Sequence, residues 1–255
     1  MVFYHTLDPI LFGIGPVQIH WYALMYVFSF IIVYFYVRSA VKHNKLNLSL
    51  DDVDNLMVIL TVSMIVGARL FEVLFYNPSY YFSNLLEIFA VWHGGLSFHG
   101  GFVGMALAGY LFAKKKKISF LHLCDIFVVP LAFAQALGRI GNFINGELYG
   151  TVTSLPWGVK FPSIDGFRHP SQLYEVAYDL VIFSFLFIQR NKNYARGALF
   201  AWFLILYPVF RFFTEFVREP ELMIGPITLG QLLCIPMFVA GVGLLYYVKK
   251  LKKSF

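Results

Sequence analysis

The chain has 255 residues, 59% of them hydrophobic, 19% aromatic and only 13% charged, with a formal net charge of +6. A soluble domain of this size does not carry so much apolar surface, whereas several spans of about 20 residues do. A soluble fold is excluded, and one all-α integral membrane domain over residues 1–255 is expected.

Hydropathy predicts seven membrane helices, at about 18–37, 53–75, 97–113, 122–139, 172–189, 197–217 and 229–248. No basic leader or small-residue cleavage pattern marks a removable signal peptide. Arg38, Lys42 and Lys45 follow the first helix, and Lys114 to Lys117 follow the third. Arg190, Lys192 and Arg196 follow the fifth, and Lys249, Lys250, Lys252 and Lys253 the seventh. If seven spans alternate, these fourteen of the 20 Lys and Arg share one side. The positive-inside rule makes that side cytoplasmic, with the N-terminus outside and the C-terminus inside.

The other six, Arg69, Arg139, Lys160, Arg168, Arg211 and Arg218, map to outer loops or outer helix halves, against that rule. Arg69 and Glu72, spaced i,i+3, are expected to pair. In the first span His20, Trp21, Tyr22 and Tyr26 lie at the outer end, where Trp and Tyr are commonly interface anchors. HGGLSFHGG (His93–Gly101) opens the third helix. Its glycines permit close backbone approach and can free amide N–H groups for an anion, and His99 is placed to exchange protons. Cys124 and Cys234 sit at apolar positions and read as small core residues.

GRIGNFINGELYG (Gly138–Gly150) follows the apolar run of helix four and concentrates Arg139, Asn142, Asn145 and Glu147 where water is scarce. Such groups need partners, so the stretch reads as one wall of a site. The loop at 151–168, a small outer insertion broken by Pro156, Pro162 and Gly166, leads into RHPSQLYE (Arg168–Glu175). Ser171 is expected to cap helix five with Glu175 near its start, and capping leaves His169 unexplained. Helix six ends in Tyr207, Arg211, Glu215 and Arg218, spaced to share one face; such an ionic stripe points inward or into a wet cavity.

Arginine suits phosphate because its planar fork donates parallel hydrogen bonds while staying charged. Arg139 and Arg211 on separate helices therefore point to a phospholipid headgroup, with His99 able to accept a proton and Asn142 or Asn145 able to orient oxygens. A retinal-type protein is disfavoured by the absence of Lys between Leu229 and Val248. A transporter is disfavoured by the lack of a repeat and of a midplane site. His93, His99, His169 and Glu147 match no compact metal-ligand spacing, and no metal or other cofactor is expected. A non-catalytic phospholipid-binding or transporting protein stands as the alternative to an enzyme.

These motifs, together with HWYALMY (His20–Tyr26) and FRFFTEFVREP (Phe210–Pro220), resemble the bacterial prolipoprotein diacylglyceryl transferases in order along nearly the whole chain. The resemblance implies a seven-helix protein of the bacterial cytoplasmic (inner) membrane with its site toward the outer leaflet. It also implies the reaction: the diacylglyceryl group of phosphatidylglycerol passes to the thiol of a lipobox cysteine in a preprolipoprotein signal peptide, and glycerol phosphate leaves. Membrane lipid and that peptide are then the partners, with no nucleic acid. Carried over by motif, catalytic roles fall on His99, Arg139, Arg211 and Glu215. Lipid binding falls on Tyr22, Arg139, Asn142, Glu147, Gly150 and Arg211, and secondary roles on Asn145, His169 and Tyr207. His93 is assigned none.

Overall fold

A computed structural model describes residues 3–15, 17–220 and 222–253. It is mostly helical, as an all-α membrane protein should be. Strands β1 (Phe3–Tyr4), β2 (Ile10–Ile14) and β3 (Val17–His20) precede α1 (Trp21–Lys42) and α2 (Leu50–Phe71). Then come α3 (Pro78–Ser83), α4 (Phe98–Lys115), α5 (Phe120–Asn145), β4 (Val159–Lys160) and α6 (Ser171–Gln189). Helix α7 (Ala198–Thr214), β5 (Met223–Ile224), β6 (Ile227–Thr228) and α8 (Leu229–Lys253) complete the chain. Among the described residues, five stretches are long and apolar enough to cross a membrane: Trp21–Lys42, Leu50–Tyr76, Phe120–Asn145, Ser171–Gln189 and Leu229–Lys250, while Ala198–Thr214 is a shorter apolar helix.

Two boundaries move for physical reasons. His20 is not in the first helix but ends β3, which pairs antiparallel with β2. Helix α5 runs on to Asn145 rather than stopping near 139, because its polar end finds partners; it breaks at Gly146, whose φ of 68° suits glycine.

The chain forms two compact units, residues 37–123 and residues 1–36 with 124–255. In the first, Ser49 and Asp52 make a reciprocal capping box at the start of α2. Helices α2 and α4 cross closely: a Cβ on Gly100 would lie 2.3 Å from the Gly67 carbonyl oxygen, and one on Gly104 would lie 2.2 Å from that of Ser63. Gly100 and Gly101 of HGGLSFHGG thus serve helix contact, whereas Gly95 lies against Tyr81 and Arg69. Arg69 does not pair with Glu72, which instead accepts from Asn77 Nδ2 at 2.6 Å. Arg69 is buried and donates to Tyr81 Oη at 2.6 Å, to the Gly95 carbonyl at 3.0 Å and to the Ala90 carbonyl. It pins the 81–95 connection to α2, a structural role.

In the second unit, Val128, Val129 and Ala132 of α5 pack with Tyr178, Ile182 and Leu186 of α6 and Leu199 and Phe203 of α7. Buried Asp125 accepts from the backbone N–H of Gly197 and Phe200, holding the start of α7 by its unsatisfied amides. Helices α7 and α8 touch where a Cβ on Gly241 would lie 2.8 Å from the Leu204 backbone carbon. The 151–168 loop is less irregular than its prolines and glycine predict. Arg168 exchanges backbone hydrogen bonds with Val159 at 2.8 and 2.9 Å, and β4 pairs in parallel with β1.

Candidate functional site

The polar end of α5 meets α6 and α7 over one buried carboxylate, Glu175, which is 1% exposed. Arg211 Nη1 of α7 donates to Glu175 Oε1, and Arg218 Nη1 reaches the same oxygen at 3.0 Å. Arg139 Nε lies against Oε2 as an ion pair whose N–H is not aligned for a hydrogen bond. Glu175 is therefore the hub of the arginines, not a capping accessory. Ser171 does not cap α6 either: its hydroxyl donates to the Leu148 carbonyl at 2.9 Å.

A second carboxylate braces this hub. Glu215 pairs with Arg211, lies 4.0 Å from Arg218 Nε, and accepts from Thr228 Oγ1 at 2.6 Å. Helix α7 stops at Thr214, so Arg218 reaches in from beyond it, where its backbone bridges Gly150. Gly230 makes room for Glu215, since a Cβ there would lie 2.6 Å from the Glu215 carboxyl carbon. Three guanidiniums thus face two paired carboxylates, leaving one surplus positive charge before any further group is counted. In a low-dielectric setting that surplus favours an anion.

Arg139 links this cluster to a second one. Its Nη1 donates to Asn142 Oδ1 at 3.3 Å, one turn further along α5. Asn142 Nδ2 donates to Glu147 Oε1 at 2.8 Å, and Asn145 Nδ2 reaches the same oxygen at 3.2 Å. Tyr22 packs on Gly141, where a Cβ would lie 2.9 Å from its ring, and shares a hydrogen bond with Tyr26 at 2.9 Å. Tyr207 packs edge-on to Tyr178 on the arginine side. The structure therefore brings Arg139, Asn142, Asn145, Glu147, Tyr22, Tyr207, Arg211 and Glu215 together, joined by Glu175 and Arg218.

Gly150 and His169 sit elsewhere in the same unit. Gly150 donates its N–H to the His169 carbonyl at 2.8 Å, and a Cβ there would lie 2.2 Å from the Val217 carbonyl oxygen. It is a backbone junction that only glycine fits. His169 Nδ1 shares a hydrogen bond with Tyr174 Oη at 3.1 Å, and burial holds its imidazole below the usual histidine range. His99 belongs to the other unit. It opens α4, is exposed, and lies 3.3 Å from Tyr76 Oη.

Glu175 and Arg218 are what sequence reasoning underweighted. A glutamate four residues into an apolar helix carries the same burial signal that singled out Arg139, but the capping reading absorbed it. Next to the cluster, an apolar groove of about 240 Å³ runs along α7 and α8, lined by Pro208, Phe212, Phe213, Cys234, Ile235 and Phe238 among others. Pro208 and Pro236 lie inside these two helices. The head of the groove lies one turn from Glu215 along α7 and one turn from Gly230 along α8. Both cysteines are free, Cys234 buried in this wall and Cys124 half-buried.

A family model described as prolipoprotein diacylglyceryl transferase matches residues 9–247 of the chain. Several curated relatives carry the name phosphatidylglycerol–prolipoprotein diacylglyceryl transferase. That of Geobacter sulfurreducens is 46% identical over 252 residues, covering 96% of this chain and 97% of its own. That of Bordetella parapertussis is 42% identical, covering 98% of each. That of Rickettsia canadensis is 41% identical, covering 94% of this chain and 96% of its own.

Proposed function

The chain belongs to the prolipoprotein diacylglyceryl transferase family, and from that premise we propose how it transfers the diacylglyceryl group of phosphatidylglycerol to a prolipoprotein. The thiol acceptor is the lipobox cysteine of the signal peptide. The names shared across nearly full-length relatives favour turnover over a non-catalytic lipid-binding or transporting role. The observation that carries the site assignment is the surplus of arginine over carboxylate around Glu175, reached from α5, from α7 and from the segment that follows α7.

In this reading the phosphodiester anion takes the surplus positive charge, with Arg139 and Arg211 as its donors. The adjoining groove between α7 and α8 is apolar throughout and suits an acyl chain. The thiolate, the nucleophilic form of the acceptor, attacks the glyceryl carbon that bears the phosphate ester. A carbon–sulfur bond forms, the carbon–oxygen bond breaks, and its electron pair leaves on the phosphate oxygen as glycerol phosphate. The guanidiniums stabilise the charge that develops there. Asn142, fixed between Arg139 and Glu147, holds Arg139 at its working angle. His99 is the expected thiol base.

Charge distribution supports the orientation: seven spans with the N-terminus outside, the C-terminus cytoplasmic and the arginine cluster toward the outer leaflet of the bacterial inner membrane. One assay decides between enzyme and binder. Purified protein is incubated with phosphatidylglycerol and a lipobox-cysteine peptide, and the peptide is weighed. A diacylglyceryl mass increase on the cysteine is expected; intact peptide after prolonged incubation with folded protein would sink the reading. Arg139→Ala should abolish transfer and weaken phosphatidylglycerol binding while the protein still folds.

A further inference from the structure

Thr228 ends β6, where it pairs with Met223 of β5, and immediately precedes α8. Its hydroxyl accepts from the Gln231 backbone N–H at 3.0 Å, and its own backbone N–H donates to Gln231 Oε1 at 3.0 Å. That is a reciprocal helix cap, and a cap uses the hydroxyl only as an acceptor. The hydroxyl proton is therefore left over from the cap, and it goes to Glu215 Oε2 at 2.6 Å. Thr228, Gln231 and Glu215 are all buried, so water does not compete for these bonds.

Glu215 is thus divided between two frames. Its Oε1 pairs with Arg211 Nη2 and lies 4.0 Å from Arg218 Nε, while its Oε2 is held by the cap of α8. Gly230 lets the whole carboxylate lie against the first turn of α8, since a Cβ there would sit 2.7 Å from Oε1 and 2.9 Å from Oε2. The positive end of that helix favours the charge in this place. A carboxylate and a guanidinium otherwise prefer two parallel bonds, fork to fork. Without the Thr228 donor, Oε2 is free to turn onto Arg211 and occupy a second of its N–H groups. Arg211 Nη1 already serves Glu175, so a closed fork on Glu215 leaves fewer donors for any other oxygen. We infer that Thr228 is a positioning residue for the phosphodiester: by holding Glu215 Oε2 it keeps Glu215 to one oxygen on Arg211 and leaves the remaining N–H groups of that arginine open to the headgroup. This inference rests on the headgroup assignment above. It extends the clamp from the arginines to the cap of the helix that walls the apolar groove.

The test measures initial rates of transfer to a lipobox-cysteine peptide by full-length protein in phosphatidylcholine nanodiscs of graded phosphatidylglycerol content. Thr228→Val keeps the shape and loses the donor, and should raise KM for phosphatidylglycerol about ten-fold, the worth of one hydrogen bond to a charged group. Its kcat at saturating lipid should stay near wild type, because a seated phosphate has already displaced Glu215 Oε2 from Arg211. Thr228→Ser should restore the wild-type KM. Gln231→Met removes the other half of the cap and leaves the Thr228 hydroxyl in place, so it should lower the unfolding midpoint with KM unchanged. A merely structural role would show as less active protein, hence a lower apparent kcat at unchanged KM in Thr228→Val, and that result overturns the inference. A KM that rises as far in Gln231→Met as in Thr228→Val overturns it too. If Thr228→Val does not fold, Thr228→Gly takes its place, since glycine is tolerated at a helix N-cap and likewise lacks the donor. Arg211→Gln separates the two levels of argument. A raised KM there beside an unchanged one in Thr228→Val removes Thr228 alone, whereas a wild-type KM in Arg211→Gln removes the headgroup assignment with it.

Discussion

Replacing Glu175 by Gln keeps the shape of the hub and removes its charge. Arg139 then loses its carboxylate, while Arg211 keeps Glu215 and Arg218 keeps it at 4.0 Å. One guanidinium is orphaned in a buried setting, and breaking a buried pair by removing one partner costs about 3–5 kcal/mol. The Arg139 side chain is 23% exposed, so water recovers part of the loss and the lower figure, about 3 kcal/mol, applies. A bound phosphodiester supplies the missing charge, so phosphatidylglycerol should protect the variant more than it protects wild type, by mass action on the folded state. The measurement is the unfolding midpoint in detergent, alone, with phosphatidylglycerol and with zwitterionic phosphatidylcholine. A lower midpoint, raised preferentially by phosphatidylglycerol, is expected. A Glu175→Gln variant that melts like wild type, or that both lipids protect alike, refutes the idea that Glu175 neutralises the arginines the headgroup engages.

Gly150→Ala should destabilise by about 1–3 kcal/mol and depress transfer, since its methyl would press on the Val217 carbonyl and the junction that delivers Arg218 must shift; chemical unfolding and the peptide mass assay read both. The Cys124→Ala, Cys234→Ala double variant should remain active because the reacting thiol arrives with the substrate, and a folded but inactive protein would reopen a covalent enzyme intermediate. His99→Gln should slow transfer without weakening lipid binding; near-normal turnover in the purified variant removes it as thiol base. Burial lowers the His169 proton affinity relative to the unfolded chain, so the unfolded state binds more protons and stability rises with pH until about 6.5, then levels. His169→Asn should flatten that slope in unfolding curves taken between about pH 5 and 8.

The helical architecture was legible because apolar runs of span length have few alternatives in a membrane. Half of the site was legible for the complementary reason. Arg139, Asn142, Arg211 and Glu215 are polar residues in costly places, and a costly residue declares that it has a partner. What the pattern did not declare was the partner's identity. Arg69 and Arg139 carry the same sequence signal, yet the Arg69 Nη groups are held by two carbonyls and a tyrosine, whereas Arg139 is held on a carboxylate shared with two other arginines. Carbonyl partners leave an arginine structurally committed. A shared carboxylate leaves several guanidiniums jointly under-neutralised, and that residue of charge is what an anionic headgroup can use.

The same distinction explains the glycines. The family resemblance put Gly150 among the lipid-binding positions; what the structure shows there is the 2.2 Å to the Val217 carbonyl that a Cβ would face. The junction it permits carries Arg218 back to Glu175 from beyond the end of α7. A backbone contact that local periodicity cannot encode thus sets the third arginine in place, and with it the charge excess on which the headgroup assignment depends.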